Sequence, residues 1–113
     1  MTSLREKMSQ FTGRRWHYDT LPGLGRCAWR SFAEAERAQV EAAAGHRVTV
    51  KRLAVIHSFC DPDTREPVYK LEDMDYLGTL DSAIIDMIAE QALKLSKLSP
   101  EDIKKLMGEP DAS

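Results

Sequence analysis

The stretch that decides the fold is residues 61–108, DPDTREPVYKLEDMDYLGTLDSAIIDMIAEQALKLSKLSPEDIKKLMG. Its first residues, Asp61–Arg65, predict a turn, because aspartate side chains hydrogen-bond the backbone of the residues that follow them. The acidic segment Leu71–Asp75 predicts a single helical turn, and a long amphipathic helix follows Gly78. None of these patterns is reactive, so the stretch specifies shape rather than chemistry.

The long helix is predicted to begin at Thr79 or Asp81, both good N-cap residues, and to run to about Lys97. When its residues are projected at about 100° each, the apolar ones form one stripe. The stripe consists of Leu80, Ile84, Met87, Ile88, Ala92 and Leu95.

Three further apolar residues, Ile85, Ala89 and Leu93, widen this stripe to an arc of roughly 200°, about twice what a helix with one wet face needs. Such an arc must be covered on two sides. One explanation is that the helix is central in a small domain, between the helices that begin at Ser31 and Ser99. The other is that the three residues meet another protein or a second copy of this chain. We take Ile85, Ala89 and Leu93 as the candidate partner-binding residues.

Several residues mark the N-terminus of the last predicted helix. Ser99 is a good N-cap, Pro100 suits the first helical position, and Asp102 adds a charge that favours the helix dipole. Gly108 ends this helix, and residues 109–113 are expected to form a frayed tail.

The N-terminal segment has the weakest pattern of secondary structure in the sequence. Residues 1–20 have no clear period, and we expect a flexible N-terminal arm. The Pro-Gly step in Leu21–Gly25 predicts a turn. The segment Cys27–Ser31 predicts a short strand with Trp29 facing inward.

An alanine-rich helix is predicted after this strand. Ser31 is a good N-cap, and Glu34 three residues later completes a capping box. The helix is expected to run to Ala44 and to stop at Gly45.

Residues 46–60 are compatible with two structures. Their β-branched residues favour a strand. We expect a helix that ends near Cys60, because a helix would gather one largely apolar face. That face would consist of Val50, Leu53, Ala54 and His57.

These elements predict a predominantly α (α+β) fold, a small single domain of about four helices with a short strand or hairpin element. The domain is predicted to span residues 21–108, between the arm at 1–20 and the tail at 109–113. A chain of 113 residues fits one domain and can bury a modest core without metals or disulfides.

The composition argues for a cytoplasmic protein. The 16 basic and 18 acidic residues give a net charge of −2, without the basic excess that is typical of nucleic-acid-binding domains. No apolar run approaches the roughly 20 residues that cross a bilayer, and the N-terminus lacks the apolar core of a signal peptide. We therefore expect Cys27 and Cys60 to be reduced thiols, and we expect neither a membrane nor a nucleic-acid partner.

The best metal-ligand spacing is His57-x-x-Cys60, which Cys27, His46 or His17 could join. Zinc sites usually offer their four ligands as two short-spaced pairs, and only one such pair is present. A structural histidine and a buried thiol explain the pattern better, so we predict no metal and no cofactor. A zinc-dependent fold through Cys27, His57 and Cys60 is the alternative.

The sequence contains no enzyme motif and one element typical of nucleic-acid binding. Ser58 or Cys60 would have to react beside its neighbour His57, and no G-x-S-x-G motif is present, so we predict no catalytic residues. The segment Arg14–Tyr18 sets arginines beside aromatic rings, which can stack on bases. A small nucleic-acid-binding or regulatory protein that uses Arg14–Tyr18 is the alternative function.

The order of elements resembles that of the tail assembly chaperones of long-tailed bacteriophages and related prophages. One departure is Arg65, where the family commonly has a glycine after the aspartate turn. The resemblance covers residues 21–107 and rests on patterns of residue class. These patterns are Leu21–Gly25, Trp29–Phe32, Ala54–Cys60, Asp61–Tyr69, Leu71–Leu77, the long helix and Leu98–Asp102.

The resemblance implies a non-enzymatic role in tail morphogenesis. Such chaperones hold the tape measure protein soluble, recruit the major tail (tube) protein and leave before the virion is complete. The chain would act in the host bacterial cytoplasm, would be absent from the mature virion, and could form a homo-oligomer. A groove lined by helices that binds amphipathic helical segments suits this role, because tape measure proteins are long and helical.

Overall fold

The computed structural model describes residues 3–9, 13–96 and Glu101. Within those residues the chain forms five α-helices, one 3-10 turn and a three-stranded antiparallel sheet in the order β1-β2-β3. The helices are α1 (Leu4–Ser9), α2 (Glu34–Ala42), α3 (Arg47–Ser58), α4 (Met74–Leu77) and α5 (Ser82–Leu95), the strands are β1 (Trp16–Leu21), β2 (Gly25–Arg30) and β3 (Phe59–Cys60), and the 3-10 turn is Leu71–Asp73.

The predicted fold class is wrong in its balance of elements. We expected a predominantly helical domain of about four helices with a short strand or hairpin, whereas the described residues form a three-stranded sheet and five helices. β1 escapes prediction because the alternation of aromatic and polar residues in its sequence, WHYDTL, covers only four residues and stops at Thr20. β3 escapes prediction because it is two residues long and follows a helix directly.

β1 and β2 form a hairpin around the predicted turn at Leu21–Gly25. The Leu24 amide donates to the Leu21 carbonyl at 3.1 Å. Gly23 has a φ of +83°, which the third residue of a type II turn requires. The two strands pair along their full length, so the predicted boundary between a flexible arm at 1–20 and the domain falls inside β1.

Residues 46–60 are helical for most of their length, as predicted. α3 ends at Ser58 because the backbone of Phe59 is extended and pairs with Trp29 of β2. Ser58 is fully buried, and its hydroxyl donates to the Arg30 carbonyl at 2.8 Å. This hydrogen bond ties the end of α3 to the sheet.

α2 begins later than predicted. Its N-cap is Ala33, whose amide donates to the Glu36 carboxylate at 2.9 Å. The hydroxyl of Ser31, the predicted cap, instead accepts from the Arg15 amide at 2.9 Å and so extends the pairing of β1 with β2. Beyond α2 the chain turns at Gly45, as predicted, with a φ of +88° that favours glycine.

The turn at Asp61–Arg65 is held by Asp61, as predicted. Its carboxylate accepts from the amides of Asp63 at 2.8 Å and Thr64 at 3.3 Å. Arg65 has a φ of +62°, a left-handed conformation that favours glycine. The turn nevertheless closes with an arginine there, because the Arg65 amide donates to the Asp61 carbonyl at 2.8 Å.

α5 is the central helix of the core. It begins at the predicted Asp81 cap, whose carboxylate accepts from the amides of Ala83 at 3.0 Å and Ile84 at 3.3 Å. It packs against both α3 and β2. The indole of Trp29 is 1% exposed, as predicted for an inward-facing residue, and it donates to the Ile88 carbonyl at 3.1 Å. Trp29 thereby joins the sheet to the helix.

The structure describes the end of the long helix but not the two predicted features that follow it. The long helix, expected to run to about Lys97, ends at Leu95 with Ser96 as its C-cap. The predicted helix from Ser99 to Gly108, of which only Glu101 is described, and the predicted tail at 109–113 lie outside the described residues. Among the helices that the structure describes, none has the length and apolar character needed to span a membrane.

Candidate interaction surfaces

The predicted partner-binding residues lie in the core. Ile85 is 6% exposed, and Ala89 and Leu93 are fully buried. α5 instead presents Met87 to solvent at 45% exposure, although Met87 belonged to the predicted core stripe. In the folded chain Ala89 and Leu93 are therefore not available to another protein, whereas the small exposed part of Ile85 lines a groove between α3, α4 and α5.

The wide apolar arc of α5 is covered by two layers of this same chain. α3 packs against one part of the arc, and the sheet packs against another through Trp29. The sequence indicated two covering surfaces but not that strands would supply one of them. A central helix in a small domain accounts for the arc, but α3 and β2 cover it in the described part of the chain, rather than the predicted helix after Ser31.

A groove lies between α3, α4 and α5, and we call it the α3–α5 groove. It has a volume of about 190 Å³. The buried side chains of Leu77 and Ile85 form its floor, and Val48, 54% exposed, stands at its mouth. Its other lining residues are Lys51, Arg52, Gly78, Leu80 and Ser82.

The rim of the α3–α5 groove is basic. Lys51 Nζ is neutralised by Asp86 Oδ1 at 2.6 Å. Arg52 forms no ion pair with any residue in the part of the chain that the structure describes, and its guanidinium lies against Gly78, where a Cβ would collide with it. The groove therefore combines an apolar floor with one positive charge open to a partner.

A second groove, which we call the β1–α5 groove, also has a volume of about 190 Å³. Leu21 and Met87 contribute apolar surface to it. Its charged residues carry both signs, and Lys94 pairs with Glu90 at 3.0 Å on the surface of α5. The β1–α5 groove therefore lacks the single charge that marks the α3–α5 groove.

The face of β1 that points away from α5 carries two aromatic rings, and arginines cover both. The rings of Trp16 and Tyr18 stack with their centroids 6.3 Å apart. Arg65 lies 4.9 Å over the Trp16 ring and donates from Nε to the Tyr18 hydroxyl at 3.1 Å. Arg26 lies 5.2 Å over the Tyr18 ring. These rings are therefore occupied by arginines of this chain.

The two arginines of the segment Arg14–Tyr18 also contact this chain. Arg14 Nη1 pairs with Glu36 Oε1 at 2.8 Å. Arg15 Nη2 donates to the Leu95 carbonyl at 2.7 Å. Nucleic-acid binding through Arg14–Tyr18 would require these contacts to open.

Glu36 is the centre of a partly buried charge cluster between α2, the sheet and the end of α3. Its carboxylate also lies 3.8 Å from Arg30 Nη2 and 3.6 Å from His57 Nδ1. Burial lowers the pKa of His57 below its ordinary 6.5; Glu36 opposes the shift, and Arg30 and Arg14 reinforce it. His57 is therefore neutral at neutral pH, and its Nε2 lies 2.8 Å from Gln39 Oε1.

Cys27, His57 and Cys60 do not assemble into a metal site. The two cysteines lie on opposite faces of the sheet, because Cys60 pairs with Ala28, the neighbour of Cys27. Burial raises the pKa of both thiols, so neither is an activated nucleophile. Within the described residues, no three histidine, cysteine or acidic side chains are grouped so that they could hold a metal ion.

Comparison with known proteins supplies a structural neighbour. No protein-family model and no curated protein matches this chain. Among solved structures, the tail assembly chaperone of bacteriophage HK97 is similar, with a TM-score of 0.67 and 16% identity over 85% of this chain and 99% of that chain. The two proteins therefore share a fold over almost the whole HK97 protein. The resemblance to tail assembly chaperones predicted from the sequence is confirmed at the level of fold.

Proposed function

We propose that this chain is a phage tail assembly chaperone. In this role it binds helical segments of the tape measure protein, keeps that protein soluble and recruits tail tube subunits. It acts in the host bacterial cytoplasm and is absent from the finished virion. The observation that carries the proposal is the fold shared with the HK97 tail assembly chaperone over 99% of that chain.

The α3–α5 groove is the surface best suited to a helical partner. Its buried floor can accept apolar side chains from one face of an amphipathic helix. Its volume of about 190 Å³ is smaller than the roughly 300–1,000 Å³ of pockets that hold small molecules. The space fits the ends of one or two apolar side chains rather than a cofactor.

Arg52 adds a charge preference to this groove. Its guanidinium is at the rim and has no acidic partner among the described residues, whereas the neighbouring Lys51 is neutralised by Asp86. An acidic residue beside the apolar stripe of a bound helix would pair with Arg52. We therefore expect the bound segments to be amphipathic helices with an acid next to the stripe.

Co-expression with the tape measure protein of the same genome tests the proposed function. The tape measure protein expressed alone should be largely insoluble, because its apolar stripes are uncovered. Co-expression with this chain should move it into the soluble fraction and allow the two to be purified together. Unchanged solubility of the tape measure protein would contradict the proposed function.

A matched pair of variants tests the groove. Val48→Asp places a carboxylate at the mouth of the α3–α5 groove, and Leu24→Asp places one in the β1–β2 turn, outside both grooves. The two side chains are 54% and 52% exposed, so neither substitution should unfold the chain. Val48→Asp should abolish the solubilisation, and Leu24→Asp should retain it. Equal solubilisation by both variants would exclude the α3–α5 groove as the binding surface.

A further inference from the structure

We propose that the open edge of β1 binds an extended acidic segment of another protein, which joins the sheet as an added strand. This inference does not depend on the partner bound in the α3–α5 groove. β1 is an edge strand, because the strand order is β1-β2-β3 and no described residue pairs with its outer side. An edge strand of six residues is long enough to accept a further strand.

The hydrogen bonds of the β1–β2 hairpin show which residues of β1 have outward backbone groups. The Ser31 amide donates to the Arg15 carbonyl at 2.8 Å, so the backbone groups of Arg15 point towards β2. This direction alternates along an antiparallel strand. The amide and carbonyl groups of Trp16, Tyr18 and Thr20 therefore point away from β2.

Most of these outward groups are open. The amides of Trp16 and Tyr18 donate to no acceptor within the described ranges. The Thr20 amide donates to Asp19 Oδ1 at 2.8 Å, an exposed contact that an incoming strand can replace. β1 also contains neither lysine nor proline, the residues that commonly protect sheet edges from pairing. The edge can therefore bind a strand, and the side chains beside it determine which one.

Two arginines lie beside this edge on the sheet face that points away from α5, which we call the outer face. Arg26 lies 5.2 Å over the Tyr18 ring, and Arg65 lies 4.9 Å over the Trp16 ring. Both arginines are exposed, and neither forms an ion pair with an acid in the part of the chain that the structure describes. A guanidinium over a ring keeps N–H groups at its rim that can bind a carboxylate. The outer face therefore offers two positive charges to a partner.

An added antiparallel strand would bring every second side chain to these charges. Its residues opposite Trp16, Tyr18 and Thr20 would exchange backbone hydrogen bonds with β1 and point their side chains to the outer face. A glutamate opposite Tyr18 would lie beside the ring that Arg26 covers and the hydroxyl to which Arg65 donates at 3.1 Å. Facing groups of opposite charge stabilise the pairing of strands.

The other face of β1 disfavours acids at the intervening positions. Asp19 lines the β1–α5 groove, so its carboxylate lies on the α5 side, and an acid opposite it would be repelled. The preferred segment therefore has acids at alternate positions and uncharged residues between them. On the outer face β1 itself has only Trp16, Tyr18 and Thr20, so a second copy of β1 would not supply these acids.

A peptide titration tests the edge and its charge preference together. The probe is the acetylated and amidated peptide Thr-Glu-Val-Glu-Val-Glu-Thr, and the control peptide has glutamine at each glutamate position. In an NMR titration of the full chain, the probe should shift the amide resonances of Trp16, Tyr18 and Thr20 most, with a dissociation constant of about 0.1–1 mM. The control should bind about tenfold more weakly, because it cannot pair with Arg26 and Arg65.

Three variants of the chain assign the charge preference to the outer face. Arg26→Gln and Arg65→Gln each remove one exposed guanidinium and should weaken binding of the probe about twofold to fivefold. Arg47→Gln is the matched control, because it removes the same charge from the exposed start of α3, whereas the other end of α3 joins the sheet. It should leave binding of the probe unchanged. Circular dichroism checks that each variant is folded.

N-methylated probes test the backbone pairing without a change to the protein. A methyl group on the amide of the central glutamate removes a hydrogen bond to β1 and should abolish binding, whereas one on a neighbouring valine amide faces solvent and should leave most of it. The proposal would be overturned by a chain that does not bind the probe at several millimolar, or by equal binding of the probe and its glutamine control. Equal binding of the two N-methylated probes would also overturn it.

Discussion

The two sides of α5 show how this chain divides its apolar surface. The side with Ala89 and Leu93 is sealed by α3 and the sheet. The other side keeps Met87 45% exposed and borders the β1–α5 groove. One helix therefore serves as core on one side and as surface on the other.

This difference shows that a wide apolar arc on a helix is not by itself evidence of a binding site. The arc of α5 is wide because two layers of the chain cover it. An open apolar floor beside an unpaired charge is a better sign of a partner, and the chain has that combination at the α3–α5 groove. Val48 at the mouth and Arg52 at the rim are its most informative residues.

The largest expected loss of stability comes from placing a charge on the sealed side of α5. Ala89→Asp would bury a carboxylate without a partner, which costs about 3–5 kcal/mol and removes much of the stability of a small domain. Loss of the helical circular dichroism signal is the expected result. Met87→Asp on the exposed side is the control and should change the free energy of unfolding by about 0.5 kcal/mol or less. A folded Ala89→Asp variant that had lost only its partner would show that the sealed side is an interface.

Leu93→Ala and Leu95→Ala compare a fully buried and a partly buried position of α5 with the same substitution. Leu93 is fully buried, so its truncation should destabilise the chain by about 2–5 kcal/mol. Leu95 is only partly buried and should lose less than half as much. Urea unfolding measures both values, and equal losses would contradict the difference in burial between the two leucines.

Trp29→Phe weakens the contact that seals α5 against the sheet. The variant loses the indole donor to the Ile88 carbonyl and part of a buried ring, so it should lose about 1–3 kcal/mol of stability. Trp16→Phe is the matched control, because Trp16 is partly exposed on the opposite face of the sheet. Thermal unfolding that ranked Trp16→Phe as the more damaging change would contradict this packing.

The smallest expected effect is a pH dependence of the free energy of unfolding that arises from His57. The sealed side of α5 has no titratable group and does not contribute to it. Burial lowers the pKa of His57, so the unfolded chain binds the proton more readily. The contribution of His57 to stability is complete above its unfolded pKa of 6.5 and is lost as the pH falls from there through the lower folded pKa. Urea unfolding should therefore show greater stability at about pH 7.5 than at about pH 5.5. His57→Gln should reduce this difference, and an unchanged difference would exclude His57 as its source.

Sequence reasoning succeeded where one side chain determines the local structure. The carboxylates of Asp81 and Asp61 hold the helix start and the turn at which they were expected. Trp29 faces inward, and residues 46–60 form mainly a helix, because burial of a largely apolar face dominated over β-branching. These features need no knowledge of distant parts of the chain.

Sequence reasoning failed where a residue far away in the sequence determines the local structure. Ser31 is a good helix N-cap by residue type, but its hydroxyl accepts a hydrogen bond from the Arg15 amide and so extends the pairing of the strands. The sealed side of α5 could not be distinguished from its open side, because the elements that cover it, α3 and β2, are distant from α5 in the sequence. Val48 and Arg52 were missed for the same reason, since three separate elements build their groove.

Thiol footprinting tests most directly whether a partner fills the α3–α5 groove. Cys27 and Cys60 are buried, and burial raises the pKa of both, so a cysteine introduced at an exposed position can be alkylated selectively. Val48→Cys and Leu24→Cys should be alkylated at similar rates in the free chain, because both positions are about half exposed. Binding of the tape measure protein should protect Val48→Cys and leave Leu24→Cys reactive. Equal alkylation of Val48→Cys in the free and bound chain would contradict the groove as the binding site.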